Sequence, residues 1–402
     1  MIKNNWPRIK KHLLPRFPRT LFYWRFFLPN QPDYIQFHRK AFIKSLTLSP
    51  KPIRGLLNLY SLLLWYGFFA WRNSYRVWSL QHKNLNIQQG ISPTHQFFQL
   101  LKLSIIYCIP AKNYYQLSLY KHPEKQWLTF VFNHQATYIH AVVSPNISPA
   151  SSKLMADKHY FSQILAQNNL SAVPTITFIK ANATLDKKLL FKQQSFFLKP
   201  NKGSRKKGCF ALIYSAENQN YYLKGEGINI QGRDKIIAFI SSLIKHTDYL
   251  IQPLLCNSAK LGNNAAKQDL FTIRLITAIV NNKPEVISAI LEVPVARGFI
   301  ERFIIDCLSG NLTIPKTVNS NNDQSLEKMT ELVNRPFSNW EEIKEIALCS
   351  HQLCSDIKTV GWDISLTTLG VVILEGNINW ALLPHQLEGS IKTFIHNEQI
   401  RH

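Results

Sequence analysis

The sequence predicts an α+β chain, with helices gathered in its first part and strands and turns after about residue 170. Two observations carry this. Between about 55 and 125, apolar residues recur at three- and four-residue spacings, most clearly through HQFFQLLKLSIIYCI (95–109), the period of an amphipathic helix. Beyond residue 170 the apolar runs are short and punctuated by Gly, Pro and Asn, the pattern of strands and hairpins. Separate stretches of helix and strand in one chain define the α+β class.

Composition narrows the partners. The 402 residues are 46% hydrophobic, which excludes wholesale disorder. Lys and Arg number 47 against 24 Asp and Glu, a net charge of +23 that calls for an anionic partner. Residues 1–54 hold twelve Lys and Arg and one acid, Asp33, a local net of +11. Aromatic rings are interleaved there (Trp6, Phe17, Phe22, Tyr23, Trp24, Phe26, Phe27). Two functional readings fit, anionic lipid headgroups and single-stranded nucleic acid, beside that of a solvated basic segment whose rings pack on the body. No secretory leader is read at the N-terminus. The six cysteines (108, 209, 256, 307, 349, 354) lack metal-site spacing. Reduced thiols in the cytoplasm are expected.

The elements follow in order. Gly55 to Trp71 (GLLNLYSLLLWYGFFAW) is uncharged and flanked by Arg54, Arg72 and Arg76. It is open to three readings: a buried helix, a helix lying at a membrane surface, or a short span. WLTFVF (127–132) reads as a strand, and Ser152 to Asn168 as one helix. SFFLK (195–199) and CFALIYS (209–215) are strands around the loop 200–208, and a helix near 233–246 leads into the strand YLIQPLL (249–255). FTIRLITAIV (271–280) and EVISAILEV (285–293) form a hairpin through NNKP. Residues 338–358 read as a helix with Ser338 and Glu341 as a capping box. WDISLTT (362–368) and VVILEGN (371–377) close the chain as a last hairpin.

Three places carry candidate chemistry. The loop Pro200–Gly208 holds Lys202, Arg205, Lys206 and Lys207 with two glycines, and Lys199 precedes it. Glycines let backbone N–H groups approach an anion, and cations neutralise phosphate. With the final turn centred on Leu369, Asp363 and Glu375 stand opposite each other, where two carboxylates repel. Asn377 points to the same face as Glu375. Two carboxylates and an amide oxygen suit Mg²⁺, and a solvent-facing pair is the alternative. Arg274, in the apolar run FTIRLITAIV, needs an anionic partner. Gln252 lies within YLIQPLL, which reads either as a plain buried strand or as one whose backbone groups meet a planar base.

The ordered set DK (157–158), VP (173–174), strand-KP-basic-Gly loop (198–208), IQP (251–253), TIR (272–274) and WD…EGN (362–377) resembles the ATP-grasp superfamily. Its closest likeness is to the sugar-transfer-associated ATP-grasp proteins, linked to surface polysaccharide synthesis, over about residues 95–390. The resemblance implies two lobes with antiparallel sheets clasping ATP, preceded by a basic helical region. It divides the chain at 1–94, 95–190, 191–260 and 261–395. It implies that Lys158 and Lys199 touch ATP phosphates, that Lys202, Gly203 and Ser204 close over the nucleotide, and that Gln252 and Leu254 meet adenine. Arg274 would lie by the phosphates as a catalytic residue with Lys199, and Asp363, Glu375 and Asn377 would hold Mg²⁺. The implied activity is an ATP- and Mg²⁺-dependent ligase joining a carboxylate to an amine or similar nucleophile on a polysaccharide or cell-envelope precursor. A phosphotransferase, and a non-catalytic protein binding nucleotide and membrane, are the alternatives. The expected location is cytoplasmic, with peripheral contact to anionic membrane through residues 1–71. One departure stands out: LEVPVARGFIERFIIDCLSGNL (291–312) has Glu292 where the branch usually has arginine.

Overall fold

The computed structural model describes residues 18, 20–47, 53–203, 207–262, 265, 269–294, 300–314, 333 and 335–386. The chain divides into two compact units: 1–145 with 315–319 and 379–402, and 146–314 with 320–378.

The first unit is helical. Its helices are α1 (Asp33–Thr47), α2 (Ile53–Leu64), a π-helical turn (Trp65–Phe69), α3 (Ala70–Gln89), α4 (Pro93–Ile106), α5 (Lys112–Gln116) and α6 (Ala136–Val143). Ser92 caps α4 by accepting from His95 N–H, with Pro93 at the first helical position, where its missing N–H costs nothing. Gly90 ends α3 in the left-handed conformation at φ 67°. WLTFVF differs from the strand expected. Glu124–Thr129 is a 3₁₀ helix, and Trp127, Leu128, Phe130, Val131 and Phe132 are all buried. Consecutive burial is incompatible with a strand that presents alternate residues to one face. Trp127 Nε1 instead donates to the carbonyls of Leu119 (3.0 Å) and His122 (3.2 Å).

The second unit opens with α7 (Pro149–Ala156) and α8 (Lys158–Gln167), where one helix was expected. Asp157 breaks them: its backbone is extended at φ −110°, ψ 102°, and its carboxylate caps α8 by accepting from Tyr160 N–H. Next come β1 (Thr177–Ile179), α9 (Lys187–Leu190), β2 (Phe196–Pro200), β3 (Phe210–Ser215), β4 (Asn220–Gly225), β5 (Ile228–Gln231), α10 (Arg233–Ile244) and β6 (Tyr249–Pro253). These strands form an antiparallel sheet in the order β1-β6-β2-β3-β4-β5. Ile236, Ile240 and Ile244 of α10 share a core with Phe196, Leu198 and Ile251 on one face of it.

The second sheet contains β7 (Thr272–Val280), β8 (Lys283–Pro294), β9 (Ile300–Ile305), β10 (Leu312–Thr313), β11 (Thr359–Thr367) and β12 (Gly370–Asn377). Its order is β10-β9-β8-β7-β11-β12, again antiparallel. Leu275, Leu291, Phe303, Trp362 and Ile364 face its core, where α11 (Trp340–Gln352) packs Ile343 and Ala347. The expected capping box at Ser338 does not form. Asn339 precedes α11 at φ 62°, and its side-chain amide donates to Glu342 Oε2 at 2.6 Å.

Trp362 is 1% exposed and donates its Nε1–H to Thr277 Oγ1 at 2.7 Å. Its ring lies so close to Gly376 that an added Cβ would stand 2.9 Å from it and 2.8 Å from Met155 Sδ. Gly376→Ala should therefore lower stability by about 1–3 kcal/mol through overpacking. Denaturant melts should show the loss, with the slope of the transition unchanged.

Candidate active site

Strand register decides which side chains converge. In the first sheet, Lys199 of β2 pairs with Leu250 of β6, and Leu250 with Phe178 of β1. Gln252 of β6 pairs with Phe197. Since opposed residues share a face, Phe178, Lys199 and Gln252 all lie on the face away from α10. Lys199 is 8% exposed, and its Nζ reaches Leu374 O at 3.5 Å. Burial pushes its pKa down to about 8, with the charge of Lys158 acting the same way and Glu375 opposing both.

The start of α8 is fastened to the basic loop. Lys158 Nζ donates to Gly203 O at 2.7 Å, and the His159 N–H donates to Asn201 Oδ1 at 2.9 Å. The His159 ring stacks on Phe178 at 4.3 Å and 3° between planes. Lys202 and Gly203 are exposed, with Gly203 at φ 132°. A cavity of about 440 Å³ opens beside them, lined by Pro149, Ser152, Lys153, Ala156, Asp157 and Lys202. Ser204, Arg205 and Lys206 lie outside the described residues. Gln252 is 3% exposed and donates through Nε2 to Val173 O at 3.3 Å. Leu254 N–H donates to Ser195 O at 3.2 Å.

The second sheet contributes a row of charges across five strands. Asp363 of β11 pairs with Glu375 of β12 on one side and with Arg274 of β7 on the other. Arg274 Nε donates to Glu292 Oε2 at 2.8 Å and lies 3.8 Å from Asp363 Oδ1. Arg302 Nε reaches the other oxygen of Glu292 at 2.9 Å. The row thus runs Arg302, Glu292, Arg274, Asp363, Glu375. Glu292, at 6% exposure, is held between two guanidinium groups, which is how a buried carboxylate is tolerated. Burial opposes the charge of Arg274, but Asp363 and Glu292 outweigh it and raise its pKa.

Two consecutive negative charges remain. Burial raises Asp363 to about 7, reinforced by Glu375 and Glu292 and opposed by Arg274. Asn377 Nδ2 donates to Glu375 Oε1 at 3.1 Å, so the amide joins the pair. Among the described residues no cluster of three or more His, Cys, Asp or Glu gathers. Two carboxylates with one amide form a hard-oxygen donor set short of protein ligands, which fits Mg²⁺ completed by phosphate and water. Sequence reasoning missed Arg302, Glu292 as the partner of Arg274, and the His159–Phe178 stack. Glu292 and Arg302 are opposed in the β8–β9 register, but that hairpin had to be drawn before the pairing showed.

The sequence model of sugar-transfer associated ATP-grasp proteins matches residues 138–399. The chain belongs to that family. Both antiparallel sheets lie within the matched residues. Among solved structures, the chain is similar to D-alanyl-alanine synthetase A from Vibrio cholerae. The identity is 10% over 64% of this chain and 68% of that one, with a TM-score of 0.38. It is also similar to the ATP complex of D-alanine–D-alanine ligase from Bacillus anthracis, at 13% identity over 63% and 69%, TM-score 0.39. The Helicobacter pylori ligase matches at 13% over 67% and 68%, TM-score 0.37. No curated protein sequence matches.

The raised Asp363 pKa gives a pH test. A free Asp titrates near ~3.9, so between there and about 7 the folded state holds more protons than the unfolded. Metal-free protein should therefore lose this contribution as pH rises through that window. Buried His140 and His351, with lowered pKa values, act in the opposite direction in any variant. The comparison is thus between slopes. Metal-free Asp363→Asn should gain stability relative to wild type as pH rises from 5 to 7.5. Parallel melting curves across that range would contradict the buried, repelled carboxylate.

Proposed function

We propose that this ATP-grasp protein is an ATP- and Mg²⁺-dependent ligase. It phosphorylates a carboxylate and hands the resulting acyl phosphate to an amine or similar nucleophile on a saccharide-linked or cell-envelope precursor. The observation that carries the reading is the placement of the Asp363–Glu375–Asn377 set beside Lys199 within one unit. The family's association with sugar transfer supports the substrate class. The six cysteines are unpaired, which suits work in the cytoplasm.

Each group has a role set by its charge and place. Lys199, buried and partly stripped of water, takes charge from the transferring phosphoryl group, where a fixed cation is worth more than in water. Lys158 holds the Gly203 carbonyl, and so positions the loop whose Lys202 and Lys207 add positive charge. Asp363, Glu375 and Asn377 are the residues that would hold Mg²⁺, which when bound supplies Lewis-acid charge to phosphate oxygens. Glu292 keeps Arg274 charged and turned along the row. The His159–Phe178 stack offers a flat surface on the same face as Lys199.

A panel of carboxylates and amines, scored for ADP and inorganic phosphate, tests the reading. Ligase chemistry releases both with a joined product, whereas a phosphorylated product would move the assignment to phosphotransfer. Glu375→Gln should cut turnover by roughly 10²-fold or more while the protein stays folded. Unchanged turnover in that variant would remove the carboxylate pair from the chemistry.

A further inference from the structure

The helical unit turns an apolar face outward. Along α2, the π-helical turn and α3, Leu56 (66% exposed), Leu59 (56%), Leu63 (64%), Phe68 (54%), Trp71 (52%) and Tyr75 (61%) all face solvent. Three polar side chains of the same helices point inward instead. Asn58, Ser61 and Ser74 are at most 1% exposed. Asn58 Nδ2 donates to Ser45 O at 2.9 Å, and the Ser61 hydroxyl to Asn58 O at 2.7 Å. The Ser74 hydroxyl donates to Ser104 Oγ at 3.1 Å, and Trp65 Nε1 to Ser104 O at 2.9 Å. Rolling these helices to bury the leucines would break the bonds to Ser45 and Ser104, so the outward face is fixed from inside. The π-helical turn Trp65–Phe69 adds a residue to the repeat and carries the exposed line from Leu63 to Phe68.

A contiguous apolar face of this kind marks a contact surface. Its charge selects the partner. From Asp33 to Glu124 the sequence contains no other acid, against eleven Lys and Arg. Arg72 and Arg76 are exposed on the same helix, and the Arg72 guanidinium lies 5.8 Å from the Phe68 ring. Two copies joined through this face would bring like cations together, since a two-fold interface apposes a patch to itself. Leucines flanked by Trp, Tyr and Arg are instead the pattern of a helix lying in a lipid interface. Among the described residues no helix is long and apolar enough to cross a membrane.

We propose that the Leu56–Tyr75 face docks the protein on an anionic lipid surface, lying flat over a length of roughly 30 Å. The proposal is independent of the ligase reading. The test is co-sedimentation of the full chain with phosphatidylcholine vesicles, with and without phosphatidylglycerol. Wild type should bind the anionic vesicles, and Leu59→Gln/Leu63→Gln should bind them roughly tenfold or more weakly at unchanged melting temperature. Arg72→Gln/Arg76→Gln should lose roughly tenfold on anionic vesicles and little on neutral ones. Failure of wild type to bind, or full binding by the leucine variant, overturns the proposal. So does a wild-type dimer that ignores vesicles and becomes a monomer on leucine substitution, which would assign the face to a second copy.

Discussion

Two carboxylates on neighbouring strands, directly opposed, repel each other, and the ATP-grasp unit is organised around the Asp363–Glu375 pair. Water does not relieve the repulsion, because Asp363 is largely cut off from it. The relief comes from cations on both sides. Arg274 approaches along the sheet from β7, and Lys199 enters from the other sheet to within 3.5 Å of the backbone beside Glu375. Glu292 holds Arg274 from behind, and Arg302 in turn balances Glu292. Each charge in the row explains the next one. The negative charge left at Asp363 and Glu375 is what the divalent cation of the proposed function would neutralise.

Backbone geometry makes the pairing possible. Between Asp363 and Ile364 the β11–β12 register shifts by one residue. That bulge leaves Leu374 without a partner across the ladder, and its carbonyl is the one Lys199 Nζ reaches. Bulges commonly re-aim side chains near active sites, and here the bulge also presents an acceptor. Gly376 does the complementary work on the opposite face. Without a side chain it lets Trp362 and Met155 close against β12, while Glu375 and Asn377 point away from that core.

Much of this was legible in the sequence where local chemistry decides the outcome. The last hairpin, Arg274 within its strand and the basic Gly loop all follow from residue type and period. The opposition of Asp363 and Glu375 was reached through a turn centred on Leu369. The structure has a tighter turn, with Thr367 opposite Gly370, and the bulge restores the same pairing. Where tertiary context decides, the reading failed. WLTFVF has strand-like composition, but all of its side chains except Thr129 are buried and its tryptophan finds carbonyl partners. Ser152–Asn168 has one helical period, yet Asp157 starts a second helix, a signal its own chemistry offered. Gly55–Trp71 left three readings open, and only packing revealed that Asn58 and Ser61 are buried while Leu56, Leu59 and Leu63 are exposed.

On the proposed function, nucleotide binds through a cation held by Asp363 and Glu375. The most direct measurement is calorimetric titration of ATP into the full chain, with Mg²⁺ and then with a chelator present. The proposed function predicts binding that depends on Mg²⁺ and that weakens by about 1–3 kcal/mol in Lys199→Ala, the loss of a charge-assisted bond. No binding to the wild-type protein, or equal binding with and without the metal, would contradict it.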